Sequence, residues 1–373
     1  MNTLTKWILG IVVLAVIVWI GMSMSNKAPT ETGPIKIGFI SPLTGNAAVI
    51  GVQQKNAIQL AVNEINSSGG VRGRLLEMIY EDSMCDAKEA VSAVRKLIDV
   101  DGVKIILGDV CSAATLSAKS ITEENKIIVF TWGSSPEITN QSKYIFRNSP
   151  SDDAAGSNLA TVVYEMGFKT VGIITLNADF TNAFFGPFEL AFTNLGGTIT
   201  TKEVNVPDTT DFRTSVLKLK ESNAEAIIVL GTEPKSTGIM VKQIRDGGLQ
   251  QQLFSAYAFS SPVAAEVAGK ENAKGLIFID APKLSSEVSS AKNFLEKYVA
   301  EFGESPQGSE FYAGAAYDSV YIISDALMEC AEHDSDCIKK TLSGMTFSGV
   351  LGDYTLGEDG NVSGINYSVN TVE

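Results

Sequence analysis

Histidine is nearly missing from this chain: His333 is the only one among 373 residues. One imidazole beside four scattered cysteines, Cys85, Cys111, Cys330 and Cys337, leaves too few clustered ligands for a zinc site, so His333 reads as a surface residue. Positive charge is also short. Lys+Arg number 29 against 43 Asp+Glu, a formal charge of -14, which repels phosphate backbones and argues against a nucleic acid partner. The chain has no nucleophile elbow, no phosphate loop and no metal-ligand spacing, and the paired Glu123 and Glu124 read as a solvated helix face. These absences exclude most enzyme classes and predict a protein without catalytic residues, cofactor or metal.

Charge is absent altogether from one stretch near the start. After Lys6, the run Trp7–Met24, WILGIVVLAVIVWIGMSM, is long enough to span a bilayer as a helix. No cysteine stands near its end for lipid attachment, and no small-x-small cleavage motif is visible. Residues 1–24 are therefore expected to be an uncleaved signal anchor rather than a removed signal peptide, with its N-terminus inside. Residues 25–34, SNKAPTETGP, read as a linker. Export makes the cysteines readable as disulfides. Four cysteines allow three connectivities, and pairing Cys330 with Cys337 would staple a short loop and leave Cys85 for Cys111.

What the chain does have is alternation. With 45% hydrophobic and 19% charged residues it can build two cores, and β-rich runs alternate with amphipathic helical patterns along it. Such alternation predicts α/β architecture with parallel sheets, whose ligands sit at the carboxyl ends of the strands. The run KIILGDVCSAATLSAKS, Lys104 to Ser120, is central: Ile105, Ile106 and Leu107 stop at Gly108, and small residues open a helix near Ser112. A helix start of this kind attracts a carboxylate, with Ser112 as cap or hydroxyl donor. The next strand ends in Thr131 to Ser135, which brings a second set of hydroxyls beside it. The second half repeats this outline, AEAIIVLGTEP echoing VKIILGDVCS.

Five segments, GFISPLTGNAAVIG, NEINSSGGVRGRLLEMIYED, LGDVCSAAT, SPEIT and YAGAAYDSVYIISDAL, together resemble the type I periplasmic solute-binding proteins of branched-chain amino acid and amide transporters. The leucine/isoleucine/valine-binding proteins are the nearest likeness, and in them cysteines at the positions of Cys85 and Cys111 form a disulfide. The resemblance implies two doubly wound, Rossmann-like lobes joined by three hinge crossings, near Asn148–Pro150, Asp280–Pro282 and Phe347–Gly349. Lobe 1 is then 35–149 and 281–347, and lobe 2 is 150–280 and 348–373. It also implies ligand contacts from Ser112, beside Cys111, and from Trp132 and Ser134 in lobe 1, facing Phe180, Glu233 and Tyr257 in lobe 2. Tyr257 stands where amino acid binders often place an acid. The function implied is the extracytoplasmic substrate-binding component of an ABC importer. It would take a small amino acid or related carboxylate or amide to a permease with ATPase subunits, tethered to the membrane by the N-terminal helix. The same fold also serves in membrane-tethered sensors that report ligand occupancy to a partner protein.

Overall fold

The apolar runs of the first half form one parallel sheet because each is followed by a helix that carries the chain back across it. The computed structural model describes residues 33–373 apart from 46, 285–287, 307–308 and 366, and for Asp179 the backbone alone. The expected anchor, and the linker up to residue 32, lie outside the described residues. Among the described residues no helix is long and apolar enough to cross a membrane.

Strand β1 (Ile35–Ser41) leads through α1 (Ala48–Ser67) to β2 (Leu76–Asp82), through α2 (Ala87–Asp99) to β3 (Ile105–Leu107), and through α3 (Ser112–Glu124) to β4 (Ile128–Thr131) and β5 (Ile145–Arg147). The sheet order is β2-β1-β3-β4-β5, with every pair parallel. The periodicity that marks α2 and α3 in the sequence thus works as a crossover signal. Glu123 is not simply solvated: its carboxylate accepts the N–H groups of Lys143 and Tyr144 and so ties α3 to the approach to β5.

A second unit follows the same winding. It contains α4 (Asp152–Glu165), β6 (Thr170–Leu176), α5 (Asp179–Asn194), β7 (Thr198–Asn205), α6 (Arg213–Glu221), β8 (Ala226–Leu230), α7 (Pro234–Asp246), β9 (Gln252–Ala256), α8 (Pro262–Ala268), α9 (Lys270–Ala273) and β10 (Ile277–Asp280). Its parallel strands run β7-β6-β8-β9-β10. Helices α4 and α5 approach closely at Gly156, where a Cβ would stand 2.0 Å from the carbonyl oxygen of Phe184. Any side chain there would push the two helices apart and open the phenylalanine cluster of Phe184, Phe185, Phe188 and Phe192.

The chain then returns. Helices α10 (Ser289–Phe302), α11 (Glu310–Glu329) and α12 (Ser335–Leu342) bury Phe294, Tyr298, Val320, Ile323 and Ile338 in the same core as Phe39, Leu107 and Phe130 of the first sheet. Strands β11 (Thr346–Gly349), β12 (Gly352–Leu356) and β13 (Val362–Ser363) make a small antiparallel sheet with a tight turn at Gly360, and β14 (Ser368–Thr371) pairs antiparallel with β10. The third crossing therefore lies beyond residues 347–349. Val350, Tyr354 and Leu356 are buried with the first lobe, and only β14 reaches the second sheet. The cause is Asp318 on α11, whose carboxylate accepts the N–H groups of Val350 at 2.8 Å and Leu351 at 3.2 Å and holds the chain against the first lobe past Gly349.

Candidate ligand-binding cleft

The strands of both sheets end at one cavity of about 380 Å³. From the first lobe it takes Trp132 and Ser134 after β4, with Phe311 and Tyr312 at the start of α11. The second lobe supplies Phe180 on α5, the turn from Leu230 to Pro234 after β8, and Tyr257 after β9. The crossings contribute Ser149, Pro150 and Asp152, then Ala281 and Pro282, and finally Tyr367. This is where open parallel sheets present loop backbone and side chains to a ligand.

Trp132, Ser134, Phe180, Glu233 and Tyr257 thus meet in one cleft, whereas Ser112 and Cys111 do not line it. Cys111, in its disulfide with Cys85, is itself the residue preceding α3. Ser112 sits behind the loop after β4, and its Oγ accepts the Ser135 N–H at 3.1 Å. Of the amides after Gly108 expected to hold a carboxylate, the Cys111 N–H donates to Asp109 Oδ1 at 2.8 Å, and in the loop after β4 the Trp132 N–H donates to Asp109 O and the Gly133 N–H to Thr131 Oγ1. Ser112 therefore shapes the loop instead of lining the cavity. The second disulfide joins Cys330 to Cys337.

Several groups that sequence reasoning missed hold or complete this site. Arg147, at the end of β5, is 1% exposed and donates from Nη1 to the carbonyls of Gly133 and Ser135, each at 3.1 Å. Its Nε reaches Asn361 Oδ1 at 2.8 Å, so one guanidinium fastens the loop and the turn between β12 and β13 together. Trp132 Nε1 donates to Asn148 Oδ1 at 3.1 Å, and Asn148 Nδ2 donates in turn to Ala315 O and to the Tyr354 hydroxyl. Tyr354 donates to Asp318 at 3.1 Å. The wall of the cavity is thus braced to the residue that sets the third crossing.

Asp152 is the acid at the heart of the site. It opens α4, is 7% exposed, and lines the cavity. Its Oδ2 accepts the Ser134 hydroxyl at 3.1 Å, its backbone N–H donates to Ser134 O, and burial pushes its carboxyl above the ordinary range. Glu233, by contrast, is exposed on the rim. It precedes α7, where the Ser236 hydroxyl accepts its N–H at 3.2 Å and donates to its carbonyl, so its backbone serves the helix start. The aromatic wall is continuous: the Phe180 ring lies 6.0 Å from Tyr257, and Tyr257 lies 6.3 Å from Tyr367. The one signal for Asp152 in the sequence was the acidic pair after the proline in RNSPSDD, which reads equally well as ordinary helix-start chemistry.

Two like-wound α/β lobes sharing a solute-sized cleft across hinge segments define a binding protein of the two-lobed, hinge-linked class. The periplasmic binding protein family model matches residues 34–368, and the chain belongs to that family. It is 26% identical over 339 residues to the leucine-, isoleucine-, valine-, threonine- and alanine-binding protein of Pseudomonas aeruginosa, covering 90% of this chain and 89% of that protein. The crystal structure of a leucine-binding protein from Thermotoga maritima is similar with a TM-score of 0.71 at 25% identity, over 91% of this chain and 95% of that one. A branched-chain amino acid transporter substrate-binding protein from Streptococcus pneumoniae, solved with isoleucine, has a TM-score of 0.69 at 25% identity, over 91% and 99%. The relatives place this chain among solute-binding proteins rather than enzymes, with the extracytoplasmic location of periplasmic binding proteins.

Proposed function

We propose that the chain is the substrate-binding component of an ABC importer, capturing a small amino acid or related compound between its lobes and passing it to a membrane permease with its ATPase subunits. The observation that carries this reading is the cleft at the carboxyl ends of both sheets, with a buried acid set among aromatic walls. Named relatives that bind branched-chain amino acids support the ligand class. The uncharged run Trp7–Met24 supports tethering at the outer face of the cytoplasmic membrane. Ser134, Trp132, Phe180, Tyr257 and Glu233 would contact the ligand, with Asp152 added to them, while Ser112 and the Cys85–Cys111 disulfide would hold the loop in place.

The test is mass spectrometry of whatever is released when the purified chain is unfolded. The expected result is one small organic molecule in near-equal amount to protein, which raises thermal stability when added back. A preparation that releases no solute, and that no amino acid or amino acid derivative stabilises, would count against the reading.

A further inference from the structure

The wall of the cleft is aromatic out of proportion to the chain. Six of the nineteen described residues that line it, Trp132, Phe180, Tyr257, Phe311, Tyr312 and Tyr367, are aromatic, against 8% of the whole sequence. The one branched aliphatic side chain in that lining, Leu230, is 1% exposed and gives the cleft almost no surface. Elsewhere the wall is largely small: Gly231, Ala256, Ala258 and Ala281 leave room for a wide group.

Most of these rings offer the cleft ring surface rather than a polar tip. Trp132 Nε1 donates to Asn148 at 3.1 Å, the Tyr367 hydroxyl donates to Ser151 O at 2.7 Å, and the Tyr257 hydroxyl bonds that of Tyr367. Phe180 and Phe311 have no polar tip, and only Tyr312 keeps a hydroxyl with no partner among the described residues. The rings also leave one another's faces free. Phe180 and Tyr257 lie 6.0 Å apart at 51°, and Tyr257 and Tyr367 6.3 Å apart at 69°, whereas Phe188 and Phe192 in the core are stacked at 13°. Phe180 and Tyr257 on the second lobe, and Tyr312 on the first, are only half-buried. A further ring can therefore meet an unused aromatic surface on each lobe. Offset-stacked or edge-to-face contact adds about twofold to tenfold in affinity beyond what the buried area supplies.

Resting on the solute-binding reading above, we infer that the solute is an aromatic amino acid, its ring received between Phe180 and Tyr257 of the second lobe and Tyr312 of the first. The cleft selects that ring over a branched aliphatic side chain.

Three amino acids that share one backbone decide this by calorimetry on the intact purified chain, first stripped of ligand by unfolding and refolding. Phenylalanine carries the ring, cyclohexylalanine carries the same ring saturated, and leucine carries a branched chain. Phenylalanine is expected to bind about tenfold or more tighter than leucine, which buries less area and has no ring, and about threefold or more tighter than cyclohexylalanine, which differs in aromaticity alone. Smaller margins overturn the inference. Phe180→Leu and Tyr312→Leu, one from each lobe, should each cut the advantage of phenylalanine over leucine at least about threefold. An advantage unchanged in both variants, each shown by its melting curve to be folded, would also overturn it. If none of the three amino acids binds, the solute released from the native protein decides: one with an aromatic ring upholds the inference and one without overturns it. The solute-binding reading fails separately, on the absence of any released solute.

Discussion

At the scale of single residues, buried acids set how this protein responds to pH. Burial raises Asp109 and Asp318 to about 6, Asp109 in the loop after β3 and Asp318 on α11, where it holds Val350 and Leu351. An unfolded aspartate titrates near about 3.9, so between those values the folded chain holds protons that the unfolded chain has lost. Their contribution to stability is full below the unfolded value and is lost as pH rises through about 6. Asp82 and Asp359 act in the opposite sense. Burial would raise them, but hydrogen bonds from Thr44 and Leu43 to Asp82 and from Asn361 to Asp359 prevail and hold them low, so their contribution is lost in acid. Stability, read as the melting temperature, should therefore rise as pH falls from 7 to 5, by about 1.3 kcal/mol for each of the two raised acids, and fall again below about pH 4. Asp318→Asn should flatten its share of the rise between 5 and 7. A wild-type melting temperature that is level or falling from pH 7 to 5 would show that these carboxyls are not held protonated by the fold.

At the scale of elements, the helices were the most legible part of the sequence and the loop geometry the least. Helices α3, Ser112–Glu124, and α10, Ser289–Phe302, are readable from the chain because amphipathic periodicity is a local signal. The role expected of Ser112 was lost for a non-local reason: the loop after β4 folds over the start of α3, and Arg147 and Asn361, far along the chain, hold it there. Asp152 and Ser149 escaped notice because a crossing segment has no periodicity, and its place in a cleft depends on two lobes meeting. The disulfides belong to this scale too. Cys85–Cys111 closes 26 residues and fixes the loop between β3 and α3 to the chain after β2, whereas Cys330–Cys337 closes only 7 between α11 and α12. Chain entropy assigns the longer closure about 3.5 kcal/mol and the shorter about 2.4 kcal/mol. Paired Cys→Ser variants compared by denaturant unfolding should keep that order. The Cys85/Cys111 variant should also weaken ligand binding, because its loop packs against Trp132–Ser135. Equal losses, or a larger loss for Cys330/Cys337, would show that native packing rather than chain constraint governs the effect.

At the scale of the whole molecule, the question is whether ligand changes the angle between lobes. Each sheet has its own apolar core, and the two meet at 148–150, at 280–282 and between β13 and β14, where Ile365 packs against the first core and Tyr367 belongs to the second. The Ser134–Asp152 pair lies beside the first crossing, where bending moves atoms least, so it would persist in an open form. Phe180, Tyr257 and the turn at Glu233 are carried by the second lobe, and Trp132 and Tyr312 by the first. A ligand touching both sets favours the closed arrangement by its differential contacts and by nothing else. Two measurements on one sample follow. The radius of gyration from small-angle scattering should fall when the solute identified by mass spectrometry is added to the stripped chain. Stability should rise by about 2.7 kcal/mol at a hundredfold excess over the dissociation constant, as mass action requires. The second effect is expected of any ligand that binds the folded chain, so it controls for occupancy. An unchanged radius alongside the full stability gain would mean that the cleft is already closed without ligand, and that the crossings act as struts between the lobes.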